Sequence, residues 1–196
     1  MWAFLASLLF ALIAAGNSIM CQKCSNRNGT TCSSSLVACD PNVSYCETFI
    51  FNAEIGTQSF EIVFKGCKDD KLKDYYISKS AIGAYERAMQ VYCKGDGCNS
   101  RNIEFTPMNN TMNGVQCPAC LNLTGYECKE KVMKNCTGDE TNCVHFEGVV
   151  DLTGENPMEV AVYGCASALK CNHLPVYPGG IIIYNKYNEC TNGKKV

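Results

Sequence analysis

Histidine is scarce in this sequence, with two in 196 residues, His145 and His173. That leaves little material for general acid–base work or imidazole metal ligation. No Gly-x-Ser-x-Gly elbow, His-Glu-x-x-His pair or phosphate loop occurs, so the common hydrolase, metalloprotease and nucleotide sites have no foothold. No run of Lys and Arg exceeds two, and the net charge is −2. A nucleic-acid partner, which requires a basic stripe, is thereby excluded. After the first stretch no apolar run approaches the ~20 residues of a membrane-spanning helix. The C-terminus, ECTNGKKV, is polar and supplies no hydrophobic tail for a lipid anchor. Acidic pairs are few; Asp69-Asp70 and Asp139-Glu140 read as solvated loop residues, too sparse in oxygen ligands for calcium. No cofactor and no metal is expected.

The first eighteen residues, MWAFLASLLFALIAAGNS, carry no charged side chain, and their apolar core runs from Trp2 to Ala15. The core is short for a membrane span, and Gly16 and Ser18 stand at the −3 and −1 positions of a cleavage site. Residues 1–18 therefore read as a signal peptide with a mature start near Ile19, and the product as extracellular. Five Asn-x-Ser/Thr sequons agree with secretion: Asn28, Asn42, Asn109, Asn122 and Asn135.

Cysteine is what the sequence has in abundance, sixteen in all. The first set is Cys21, Cys24, Cys32, Cys39, Cys46 and Cys67; the second is Cys117, Cys120, Cys128, Cys136, Cys143 and Cys165. The gaps run 3, 8, 7, 7, 21 and then 3, 8, 8, 7, 22. Five matched gaps identify a tandem duplication. We divide the chain into a first domain, 19–105, a polar linker, 106–113, and a second domain, 114–196. Each half holds eight cysteines, so the halves are expected to fold separately. A unit under ~100 residues has a thin core and commonly needs disulfides, each contributing about 2–4 kcal/mol. The repeated Cys-x-x-Cys could also be redox or zinc chemistry. A redox pair needs a βαβ setting and a zinc site usually a reducing compartment, and neither is indicated here.

The segments between cysteines read as antiparallel strands. SFEIVFKGC, Ser59 to Cys67, alternates Phe60, Ile62 and Phe64 on one face, the period of a half-buried strand. It pairs with YCETFIF, Tyr45 to Phe51, across the tip NAEIGTQ. CVHFEGVV, the tip DLTGENP and MEVAVYGC repeat that hairpin in the second domain. DYYISKSAIGAYERAMQVY, Asp74 to Tyr92, has no cysteine and four tyrosines. Its residues Ala81, Ile82, Tyr85, Ala88, Met89 and Tyr92 also fit an amphipathic helix.

The spacing Cys-x2-Cys-x7-Cys, its continuation to Gly-Cys, and the closing GDGCN at Gly95 to Asn99 resemble the three-finger domain of the lymphocyte-antigen-6/urokinase-receptor superfamily. The resemblance covers essentially the whole mature chain and implies an all-β, small disulfide-rich fold of tandem three-finger domains. It implies the pairs Cys21–Cys46, Cys24–Cys32, Cys39–Cys67 and Cys93–Cys98 in the first domain. In the second it implies Cys117–Cys143, Cys120–Cys128, Cys136–Cys165 and Cys171–Cys190. The family usually has ten cysteines per domain, against eight here; Tyr92 stands where a cysteine often precedes Cys93. The two-domain form, with NGVQCPAC opening its second half, looks like gamma-type phospholipase A2 inhibitors and equally like amphibian sodefrin precursor-like factors. The first implies a non-enzymatic inhibitor of secreted phospholipase A2 acting by protein–protein contact, as an oligomer. The alternative it implies is a courtship pheromone whose partner is a chemosensory receptor. Loop tips on a stapled scaffold are natural contact surfaces. Tyr75, Tyr76 and Tyr85 of the cysteine-free finger are the partner-contact candidates, because tyrosine is enriched at interfaces.

Overall fold

The computed structural model describes residues 18–69, 73–151, 155–167 and 182–196. Residues 1–17 of the expected signal peptide, His173, Asp70 and Cys171 lie outside the described residues. Strands dominate, as alternating β-branched and aromatic residues between cysteines require. In the first domain they are β1 (Met20–Gln22), β2 (Cys24–Asn26), β3 (Leu36–Ala38), β4 (Tyr45–Ile55), β5 (Gln58–Lys68), β6 (Tyr75–Ala81) and β7 (Ala84–Cys93). The second contributes β8 (Met112–Asn122), β9 (Val132–Thr137), β10 (Asn142–Val150), β11 (Met158–Ala166), β12 (Ile182–Asn192) and β13 (Lys194–Lys195). All strand pairs are antiparallel.

β4–β5 and β10–β11 form the central fingers, and β6–β7 the third finger of the first domain. Gly56, with φ +62°, turns the tip between β4 and β5. Disulfides at the base hold the fingers: Cys21–Cys46, Cys24–Cys32, Cys39–Cys67, Cys93–Cys98, Cys117–Cys143, Cys120–Cys128 and Cys136–Cys165. Cys190 is also disulfide-bonded. The sulfurs of Cys21, Cys39 and Cys67 cluster, as do those of Cys117, Cys136 and Cys165. They are consumed in disulfides, so this crowding is packing rather than metal ligation.

The amphipathic-helix alternative for 81–92 gives way to a hairpin. Gly83, at φ +69°, makes the tip, and β7 is paired on both edges, to β4 and β6. Two ladders satisfy its backbone groups, and a helix there would strip both neighbours. The half-buried reading of the central finger is also corrected. Ile50 and Val63 on its second face are as buried as Phe51 and Ile62 on its first.

The halves are not structurally independent. β6 of the first domain pairs with β11 of the second, Ser80 opposite Cys165 and Lys79 opposite Ala166. One sheet therefore runs through both, in the order β2-β5-β4-β7-β6-β11-β10-β12. The sheet curls enough that Phe51, Ile62, Ile77 and Ala88 share one core with Val144 and Ala166. Gly164 makes the close approach possible, because a Cβ there would strike the Ser80 carbonyl oxygen and the Ala81 backbone.

Candidate partner-binding site

The third finger of the first domain is the wedge between the domains. Its edge is sealed at the base by a reciprocal pair: Ser167 N donates to Ser78 O (2.9 Å), and Ser78 N donates to Ser167 Oγ (3.1 Å). Ser80 Oγ donates to Glu140 Oε2 across the same seam (2.9 Å). Glu140 was expected in solvent beside Asp139. It is instead buried, and it also accepts from Thr137 N. Burial pushes its carboxyl above the ordinary value, with the Ser80 and Thr137 hydrogen bonds pulling the other way.

The inner face of this wedge meets an apolar groove, and its outer face a polar cleft. The groove is floored by Phe51, Val144, Phe146 and Val160. Lys79 and Glu86 are the charged residues of its lining, and they pair with each other at 2.7 Å. The cleft, of about 380 Å³, is lined by Tyr76, Tyr85 and Arg87, and across from them by Asn109, Lys134 and Asp139. The guanidinium of Arg87 lies 4.5 Å from the Phe105 ring centroid and donates from Nη1 to Thr106 O (3.0 Å). Its buried Nε has no acceptor.

The candidate tyrosines separate by environment. Tyr76 and Tyr85 line the cleft. Tyr76 meets Phe105 edge-on at 6.3 Å. Tyr75 packs against the shared core. Burial raises the phenol pKa of all three, so they stay neutral at physiological pH; Glu54 adds to the effect at Tyr85. Tyr75 belongs to a buried polar group with Glu47, Gln90 and Tyr92. Gln90 Nε2 donates to Glu47 Oε2 at 2.6 Å, and the Tyr92 hydroxyl is buried without a partner. Burial and the nearby Glu47 push Tyr92 up to about 12.

In the second domain His145 stacks on Tyr163 (3.9 Å between centroids), touches Tyr187 (4.4 Å) and meets Glu147 Oε1 at 2.9 Å. Lys131 caps the Tyr163 ring. The sequence pattern places the histidine on its strand but does not disclose this stack, because its members come from three strands. Among the sequons, Asn28, Asn42, Asn109 and Asn135 are exposed, whereas Asn122 spends its amide nitrogen on Glu127 O (2.8 Å).

The sequence profile of the u-PAR/Ly-6 domain matches residues 17–101 and 113–194. The chain belongs to the u-PAR/Ly-6 domain family. Within it, the chain is 26% identical over 175 residues to a phospholipase A2 inhibitor gamma subunit of Gloydius brevicaudus siniticus, spanning 85% of this chain and 83% of that one. It is 25% identical over 196 residues to phospholipase A2 inhibitor NAI of Notechis ater, spanning 96% and 94%. Protein RoBo-1 of Rattus norvegicus is 29% identical over 109 residues, 55% of this chain and 44% of that one. The crystal structure of mouse TEX101 superposes over 90% of this chain with a TM-score of 0.41 and 16% identity. In this pair of u-PAR/Ly-6 domains one finger joins the halves through β6 and β11, and the polar cleft lined by Tyr76, Tyr85 and Arg87 lies on that finger.

Proposed function

We propose that this chain is a secreted, non-enzymatic binding protein that inhibits secreted phospholipase A2 by protein–protein contact. The observation that carries the reading is that this chain, with its two u-PAR/Ly-6 domains, aligns over more than four-fifths of both chains with a relative named a phospholipase A2 inhibitor. The disulfides, seven of them resolved pair by pair, favour an oxidising, extracellular setting. The scaffold supports binding. Two domains locked through β6 and β11 present their surfaces in one fixed arrangement, which lowers the entropy lost on association.

Tyr76 and Tyr85, on the open cleft with Arg87, are the contacts we assign to the enzyme. Tyr75 supports the finger from the core side. The test is hydrolysis by a panel of purified secreted phospholipases A2, with and without the protein. Tyr76→Ala and Tyr85→Ala are each expected to weaken inhibition about thirty-fold, the equivalent of about 2 kcal/mol at a hot spot. Tyr75→Ala is expected to lower folding stability first. Absence of inhibition across the panel would favour the chemosensory-receptor alternative.

A further inference from the structure

The five sequons differ in how far the fold leaves them free. An acceptor asparagine must be reachable, and its glycan needs room on the folded chain. Asn122 spends its amide nitrogen on Glu127 O (2.8 Å), and its Oδ1 takes the Thr124 hydroxyl of its own sequon (2.9 Å). The middle residue of the Asn135 sequon is Cys136, fully buried in a disulfide. That of Asn42 is the buried Val43, closed into a turn by its N–H to Asp40 O (2.9 Å). At Asn28 the middle residue, Gly29, is tied to β5 by its N–H to Glu61 O (3.2 Å). Asn109, Asn110 and Thr111 are all exposed and lie outside any strand. Asn109 Oδ1 accepts from Thr111 N (3.0 Å), an Asx turn within the sequon itself, while its Nδ2 donates to no group among the described residues.

Asn109 is also fixed in place. A Cβ at Gly138 would stand 2.9 Å from Asn109 O and 3.3 Å from Asn109 Cβ, so Asn109 packs against the turn after β9. Gly138 N donates to Thr111 O (2.9 Å), and Asn113 Nδ2 donates to Gly138 O (3.1 Å). The next residue of that turn is Asp139, and Asn109 and Asp139 line the polar cleft across from Tyr76 and Tyr85. A glycan rooted there is a bulky, hydrated group at the edge of the cleft.

We propose that Asn109 carries an N-linked glycan that covers the cleft, so that occupancy of this one amide decides whether Tyr76 and Tyr85 are open to a partner. The amide nitrogen displaces a lipid diphosphate from the anomeric carbon of a lipid-linked oligosaccharide. A C–N bond forms, the C–O bond to phosphate breaks, the diphosphate leaves with the electron pair, and the nitrogen gives up one proton; nothing is oxidised or reduced. The identity of the excluded partner rests on the phospholipase A2 reading; the glycan and its shielding of the tyrosines do not. Mass spectrometry of the protein secreted by eukaryotic cells is expected to find the glycan at Asn109. Thr111→Ala removes the sequon and keeps both backbone bonds of residue 111, whereas Thr111→Ser keeps the sequon. Hydroxyl-radical labelling of Tyr76 and Tyr85 is expected to rise in Thr111→Ala and to stay at the parent level in Thr111→Ser, with the exposed Tyr184 as the unchanged reference. A phospholipase A2 that binds the chain is expected to bind Thr111→Ala about tenfold or more tightly than the glycosylated parent. Where Thr111→Ala is not secreted, enzymatic trimming of the parent glycan to a single sugar supplies the open form. An unmodified Asn109, or a glycan that leaves the labelling of both tyrosines unchanged, would overturn the proposal whatever the partner. Equal affinity of the two forms would overturn it and leave the phospholipase reading intact. No binding of either form to any enzyme, with Asn109 occupied and the tyrosines shielded, would overturn that reading and uphold the glycan.

Discussion

Tyr92 of the first domain occupies the place that Cys190 holds in the second. Tyr92 lies opposite Glu47, one residue past Cys46; Cys190 lies opposite Val144, one residue past Cys143. In the first domain a polar tie replaces a covalent one. The Tyr92 N–H donates to Asp74 Oδ1 at 2.9 Å, while Glu47 and Gln90 bond beneath it. Asp74→Ala is expected to destabilise the third finger by about 1 kcal/mol, the scale of one hydrogen bond. Amide exchange at Tyr92 should accelerate while exchange in β10 stays as it was. Unchanged exchange at Tyr92 would show that strand pairing alone holds the finger.

The seam between domains depends on a missing side chain. Gly164→Val places atoms against Ser80 O and Ala81. Overpacking of this kind costs about 1–3 kcal/mol. The expected result is a lower denaturation midpoint, with faster exchange at the Ser78 and Ser167 amides that cross the seam. Gly125, with only the Asn122 side chain nearby, is the control site, and its substitution by Ala should be close to neutral.

Separating the halves should uncover apolar surface. Phe51 and Ile62 of one domain share a core with Val144 and Ala166 of the other. Fragments 19–105 and 114–196 are expected to retain their disulfides but to bind a hydrophobic dye strongly or self-associate, where the intact chain does neither to the same extent. Clean, dye-silent, monomeric halves would mean that the shared core contributes little.

Glu140 gives the seam a pH dependence with a definite sign. Its folded pKa is raised above 4.5 by burial. Between pH 4.5 and that raised value the folded chain binds more protons than the unfolded one, so stability falls as pH rises through this window and levels off above it. Glu47 is shifted the same way, again mainly by burial. Glu140→Gln removes the titration, and the difference between its stability curve and that of the parent should be confined to this window. A parallel pair of curves would refute the assignment.

Much of the architecture was legible because cysteine spacing is a length code. Matched gaps indicate matched fingers, and the alternation of Phe60, Ile62 and Phe64 marks the strand between them. What stayed hidden has physical causes. The β6–β11 seam is built from Ser78, Ser80, Lys79 and Ser167, whose small and polar side chains carry no periodic apolar signal. Glu140 reads as a solvent residue because its Ser80 partner comes from the other domain, which the local sequence does not contain. Ala81, Tyr85, Ala88 and Tyr92 satisfy a helical period. The decision for a strand comes from β4, a neighbour that the local sequence does not contain. In the cleft, Tyr76 and Tyr85 were found by composition, but Arg87 was not, since its place is set by Phe105 and Thr106 beyond the finger.

The function proposed for this chain turns on direct contact with a phospholipase A2. Calorimetric titration of a purified secreted phospholipase A2 with the intact, fully oxidised protein, in the absence of any lipid, separates that contact from sequestration of substrate. Saturable binding at a fixed ratio is expected, weakened by Tyr76→Ala and Tyr85→Ala. No binding to any enzyme of the panel, or inhibition that appears only when lipid is present, would contradict it.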